Sequence, residues 1–260
     1  ATVRGGTLFI DGKEVVPQNE VEKWLRARVY GDSKISLSRD SGYTDHIARE
    51  TLGISRRRWF DFLKKQDVHQ RYSVRPKTQK YPGQKIKRKG TVQIDLVEAK
   101  SVDIPTRKTD TFIFTCIDRL TSYLVAKRVD TKEVNPKKKR GTLIVLKEII
   151  AEMEKALGTK VHTVESDDGG EFKSLLAAWL DKRGTKRKVV PLGAAVEARN
   201  GMLQRHLYRQ IALGKKGGFD KHIQTAVQLC NETTSRITKK RPIDAVSVPD
   251  KELADKFNTK

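Results

Sequence analysis

The chain has 260 residues, with 54 Lys or Arg against 32 Asp or Glu, a net charge of +22 at pH 7. At roughly 150 residues per domain, this length suits one large domain plus a smaller unit or an extension, and a charge so positive repels itself until a polyanion or other acidic surface neutralises it, which makes nucleic acid the default partner. No stretch approaches the roughly 18 to 20 consecutive apolar residues that span a bilayer, so a transmembrane reading is excluded, and two cysteines, Cys116 and Cys230, each alone in an apolar stretch, exclude a disulfide scaffold and a thiolate-rich zinc finger.

Residues 1–38 read as an N-terminal extension. Thr7 to Ile10, Asp11-Gly12 and Val15-Val16 predict a hairpin around a favoured turn dipeptide, and Val21 to Tyr30 predicts a brief helix. Residues 39–70 read as a small helical domain. Ile47, Leu52, Ile54, Trp59, Phe60 and Leu63 fall in two helix-sized groups, the outline of a helix-turn-helix, and Ser55 caps the second helix. Arg56, Arg57 and Arg58 then occupy a first turn where positive charge opposes the helix dipole, a conflict that a nearby phosphate relieves. The unit reads either as structural or as a groove reader. Residues 71–89 hold Arg71, Arg75, Lys77, Lys80, Lys85, Lys87, Arg88 and Lys89 with no acid, together with Pro76, Pro82 and Gly83. This is an extended basic linker whose Tyr72 and Tyr81 offer stacking faces, suited to tracking a phosphate backbone.

From residue 90 the pattern changes to that of a layered domain, expected over 90–218. Thr91–Val97, Thr111–Asp118 and Tyr123–Val129 predict three consecutive strands. Thr142–Leu157 predicts a helix that makes a fourth strand, Val161–Glu165, parallel to its neighbour. Phe172–Arg183 predicts a helix, Lys188–Pro191 a fifth strand and Ala194–Leu213 a long helix. A last helix from Phe219 opens a C-terminal segment, 219–260. The expected fold class is α/β, a mixed five-stranded sheet flanked by helices.

In so basic a chain the placement of acids is informative. Asp95 lies mid-strand on the face shared by Gln93 and Val97. Asp167 and Asp168 follow the fourth strand directly, and Glu197 falls in the first turns of the long helix. Carboxylates at two strand positions and one helix position could bind a pair of hard divalent cations, magnesium or manganese, which activate an attacking oxygen and stabilise a leaving oxygen in phosphodiester displacement. The alternative is that Asp167 and Asp168 cap a helix and Glu197 offsets a helix dipole. The five histidines, His46, His69, His162, His206 and His222, are too scattered for a zinc cage.

The blocks VQIDLVEA at 92–99, CIDRLTSY at 116–123, ESDDGGEF at 165–172 and VEARNGML at 196–203 resemble the integrase catalytic core, a family with retroviral, retrotransposon and Polinton/Maverick-type members. The resemblance spans residues 43 to about 247, and ISRRRWFDFLKKQDVHQRY at 54–72 is similar to the segment before the core in the Polinton-type group. It implies a ribonuclease-H-like fold and two-magnesium chemistry on DNA ends, with Asp95, Asp167 and Glu197 as the catalytic and metal-holding acids. Asn200 and Leu203 match the motif around the glutamate, and Asn231 with Pro242 to Ala245 resembles the family's closing motif. Gln204 and Arg205, on the helix face of Glu197, are candidates with Asn200 for substrate phosphate contacts. The chain also departs from the family. Val92 replaces a usual Trp, Asp168 stands where Asn is common, Ala198 replaces an Arg, and the interval from Asp167 to Glu197 is shorter than in retroviral members. The family's preceding zinc unit and following chromodomain are absent from this sequence.

Two readings follow. In the first the protein is an integrase or transposase-like enzyme, in the nucleus, cutting or joining DNA and assembling as a homo-oligomer. In the second it is a domesticated, inactive integrase fold that binds RNA as a basic component of a large ribonucleoprotein such as a mitochondrial ribosome. The charge and the lost motif residues favour the second, as would a first residue, Ala1, if it is a processed end, since processing would allow organelle import; three retained acids favour the first.

Overall fold

A computed structural model describes residues 1–32, 42–66, 86–99, 111–131, 141–167, 169, 175–190, 194–214, 216–236 and 238–258. The chain divides into two compact units, residues 1–73 with 204–216, and residues 74–203 with 217–260.

The first unit starts with the expected hairpin. Asp11 and Gly12 have φ of 51° and 76°, the paired positive values of the turn whose twist matches two antiparallel strands, and they join β2 (Thr7–Ile10) to β3 (Lys13–Val15). An unforeseen strand, β1 (Thr2–Arg4), pairs antiparallel with β2. Helix α1 (Val21–Trp24) continues as a π-helical stretch, Leu25–Tyr30. A π-helical turn at Tyr43–Ile47 leads into α2 (Ala48–Glu50), β4 (Thr51–Leu52) and α3 (Arg56–Lys64). Ser55 caps α3 as its sequence implies, accepting from the Arg58 N–H at 3.3 Å. The expected helix-turn-helix is corrected here. Between its helices lies β4, which pairs parallel with β3 while Val16 N–H donates to the Leu52 carbonyl at 2.9 Å, so backbone hydrogen bonding ties the supposed turn into a sheet. Val16, Val21, Leu25, Val29, Ile47, Trp59, Phe62 and Leu63 share one core. The extension and the helical segment, divided at residue 38 in the sequence reading, therefore pack together.

The second unit is built on a five-stranded sheet in the order β7-β6-β5-β8-β9: β5 (Thr91–Ala99), β6 (Thr111–Asp118), β7 (Leu124–Val129), β8 (Thr163–Ser166) and β9 (Lys186–Val189). The first three form the antiparallel meander, whereas β5–β8 and β8–β9 are parallel. The parallel pairing needs the crossover supplied by α4 (Thr142–Leu157). Alternation decides the layers: Val92 and Ile94 of β5 enter a core with Val145, Leu146, Ile149, Ile150 and Met153 of α4, which leaves Gln93 and Asp95 on the opposite face. Helices α5 (Leu175–Lys182), α6 (Ala194–Ala212), α7 (Phe219–Glu232), α8 (Pro242–Ala245) and α9 (Asp250–Asn258) complete the chain. Helix α6 contributes residues to both units, passing to the first at Gln204. Asn231 of α7 clasps β7, its Oδ1 accepting from the Leu124 N–H and its Nδ2 donating to the Leu124 carbonyl, both at 2.8 Å. A further core joins Ile86, Leu120, Ala245, Leu253 and Ala254, so the C-terminal helices belong to this unit.

The entry to β5 is narrow. Gly90 has φ +86°, and a Cβ there would sit 2.5 Å from the Lys160 carbonyl oxygen, so no other residue fits. Its N–H donates at 2.9 Å to Asp118, a buried carboxylate that also accepts from the Thr121 N–H and hydroxyl. Burial raises the Asp118 pKa against the lowering effect of these donors.

Candidate functional site

Asp95 and Asp167 each lie two residues beyond the last pair of one parallel ladder. The parallel ladder pairs Thr91 with Thr163, Val92 with Val164 and Gln93 with Glu165. The ladder ends there: Asp95 continues β5 on the face it shares with Gln93, and Asp167 follows Ser166, the last residue of β8. Asp95 Oδ1 accepts from the Leu96 N–H at 2.8 Å and its Oδ2 from Asn200 Nδ2 at 2.7 Å. Asp167 is exposed at the end of β8, its Oδ1 accepting from the Gly169 N–H at 3.1 Å.

Helix α6 is laid on this face by two side chains of β5. Gln93 Oε1 accepts from the Val196 N–H at 3.2 Å, and Asp95 accepts from Asn200 one turn on. Glu197 lies between these anchors, partly exposed and one turn before Asn200. Beneath them is a carboxylate that the sequence reading passed over. Glu165 is 2% exposed and accepts from Gln93 Nε2 at 3.0 Å and from Arg119 Nη1 at 3.1 Å, with Lys188 Nζ at 3.9 Å. Its role becomes readable only once the strand register makes Gln93 and Glu165 neighbours.

The donors suit a hard divalent cation, being carboxylate oxygens with lone pairs beyond those engaged by Leu96 and Asn200. Among the described residues no three His, Cys, Asp or Glu side chains form a group that could hold a metal ion. Magnesium, however, retains several waters and takes one or two protein carboxylates along with substrate phosphates. Asp95 and Asp167 meet that smaller requirement in residue type.

The expected nucleic-acid contacts have varied surroundings. Arg56, Arg57 and Arg58 are exposed on α3; Arg58 donates to the Gln18 carbonyl at 2.8 Å, and Arg56 lies 6.0 Å from the Tyr43 ring centroid. Lys87 and Arg88 are exposed. Lys89 is otherwise engaged, with a side chain 10% exposed, donating to the Val248 carbonyl at 2.7 Å and paired with Asp250 at 3.4 Å. It holds the C-terminal segment instead of facing a backbone phosphate. Asn200 is buried and orients Asp95, which replaces the expected phosphate contact. Gln204 and Arg205 are half-buried in the part of α6 that belongs to the first unit. Arg71, Arg75, Lys77, Lys80 and Lys85 lie outside the described residues, as does Asp168.

No protein-family model and no curated protein matches the chain. Among solved structures it is similar to a chain of the simian T-cell lymphotropic virus intasome in complex with the PP2A regulatory subunit B56 gamma, at 14% identity and a TM-score of 0.56, over 86% of this chain and 72% of that one. Two structures of the HTLV-2 integrase catalytic core domain in complex with magnesium also match. The dimeric form has 15% identity, a TM-score of 0.47 and coverage of 61% of this chain and 95% of that one; the trimeric form has 14% identity and a TM-score of 0.47, covering 58% and 92%. The mixed five-stranded sheet with its flanking helices is thus a ribonuclease-H-like fold. It is the fold shared with that intasome chain.

Proposed function

We propose that this chain is an integrase-like nucleic-acid-binding protein that cleaves DNA or transfers its strands by phosphodiester displacement. The supporting observation is the parallel pairing of β5, which carries Asp95, with β8, which Asp167 follows, together with the Asn200–Asp95 hydrogen bond that ties the helix of Glu197 to β5. Asp95, Asp167 and Glu197 are the residues to hold magnesium or manganese, which when bound supplies charge neutralisation at the attacking and leaving oxygens. Asn200 holds Asp95 in one rotamer and Gln93 holds the start of α6. Arg56, Arg57, Arg58, Lys87 and Arg88 supply cationic surface for phosphates. DNA is the substrate, the nucleus the compartment and a homo-oligomer the assembly under this reading.

A second reading is favoured by the +22 charge and by the motif departures at Val92 and Ala198. It keeps the fold and charge but not the chemistry, making the chain an RNA-binding component of a ribonucleoprotein, with the mitochondrion as its compartment. Incubation of the purified protein with a labelled DNA duplex and magnesium or manganese separates the two. Metal-dependent nicking or joining that disappears in Asp95→Asn supports the enzyme. Tight, metal-independent RNA binding without turnover supports the structural component.

A further inference from the structure

Helix α6 begins at Ala194, so the Val196 N–H belongs to the first turn, where a helix has no acceptor of its own to offer. Gln93 Oε1 fills that need from the neighbouring strand at 3.2 Å. A glutamine amide can present either its oxygen or its nitrogen, and here Glu165 determines which. A carboxylate only accepts, so it must face Gln93 Nε2, 3.0 Å away, and the amide oxygen is thereby turned to the helix. Glu165 is 2% exposed and would be costly as a lone charge; Arg119, donating to both carboxylate oxygens at 3.1 and 3.3 Å, makes that charge tolerable.

We propose that Gln93 is a positioning residue for Glu197, with its amide polarity fixed by the buried Glu165 and its partner Arg119. The chain of contacts runs from Arg119 to Glu165, to Gln93 and to the N–H of Val196, the residue directly before Glu197. The inference rests on the reading of Glu197 as a metal-holding acid, but its first link concerns the helix alone and can be measured without turnover.

Three variants test it. Gln93→Met keeps the length and removes the amide. Glu165→Gln keeps the shape and removes the instruction, since a second amide can be satisfied in either orientation. The double exchange Gln93→Glu with Glu165→Gln restores it, because the carboxylate then at position 93 would accept both from the Val196 N–H and from the amide then at position 165. Amide exchange at Val196, followed by NMR, is expected to be about tenfold faster in both single variants, as for loss of one hydrogen bond, and to return towards the wild-type rate in the double variant. With an active wild-type protein, kcat for magnesium-dependent nicking should fall about 10- to 100-fold in the single variants while KM for DNA stays constant, and should recover in the double variant. Unchanged exchange at Val196 in the single variants overturns the proposal. Faster exchange with undiminished kcat overturns the link to Glu197. If Gln93→Met does not fold, the contrast between Glu165→Gln and the double exchange carries the same test. A wild-type protein without metal-dependent cleavage, whose Val196 exchange nevertheless responds as expected, upholds the helix anchor and defeats the catalytic reading instead.

Discussion

Single side chains at this site do more than one job, and that shapes what substitutions should reveal. Asp95 is both a candidate metal ligand and the acceptor for Asn200 at 2.7 Å. Asp95→Asn should reduce metal-dependent nicking to background while changing the urea midpoint little, because the amide preserves packing and Asn200, turned over, can accept from the new NH2 through its Oδ1. A variant that keeps its activity would remove Asp95 from the chemistry. His162 offers a different test. Its Nε2 faces the Lys89 carbonyl and its Nδ1 the Thr163 hydroxyl, each at 3.0 Å, contacts suited to a neutral ring. Burial first, and Arg88 second, push its pKa below 6.5. The unfolded chain therefore binds the proton more readily, so the neutral ring's contribution is present above pH 6.5 and is lost as pH falls through the lower folded value. His162→Gln should flatten that acid-side loss in urea titrations. Part of the slope should persist, because His222 is shifted the same way by burial; an unaltered slope would rule out His162 as a source.

At the level of elements, some contacts between neighbours run through a single side chain, which makes those ties testable alone. Asn231 satisfies both backbone groups of Leu124. Asn231→Ala leaves a buried donor and a buried acceptor unmet, and should cost about 2 to 4 kcal/mol in urea unfolding; a cost under about 0.5 kcal/mol would mean that water replaces the amide. The regular elements of the second unit were legible because local pattern and tertiary fate agree there. Thr111–Asp118 and Thr142–Leu157 have the predicted bounds, since alternation and 3.6-residue periodicity report directly which face is buried. Elements with little local pattern escaped notice. Strand β4 has only Thr51 and Leu52 and exists because β3 is there to receive it, and the π-helical run at Leu25–Tyr30 reads in sequence as ordinary helix. The candidate site divides in the same way. Asp95, Asp167 and Glu197 stand out as acids in a basic chain, whereas the Gln93–Glu165–Arg119 contacts depend on a strand pairing that spans 72 positions.

For the molecule as a whole, the +22 charge sets how it meets a polyanion. Each phosphate neutralised releases condensed counterions, so contact with about six phosphates should weaken duplex binding about a thousandfold between roughly 50 and 200 mM salt. A nearly flat dependence, measured by fluorescence anisotropy, would deny a phosphate-dominated interface. The small core of Ile86, Leu120, Ala245, Leu253 and Ala254 bears on how the protein can be divided. A fragment stopped at residue 218, where the sequence reading closes the catalytic core, would strip the cover from Leu120 and leave Leu124 without its amide clasp and Lys89 without Asp250. Shortened forms meant to isolate the chemistry should therefore keep the chain through at least Ala254; a shorter piece that proves inert would report a damaged sheet, not an enzyme without activity.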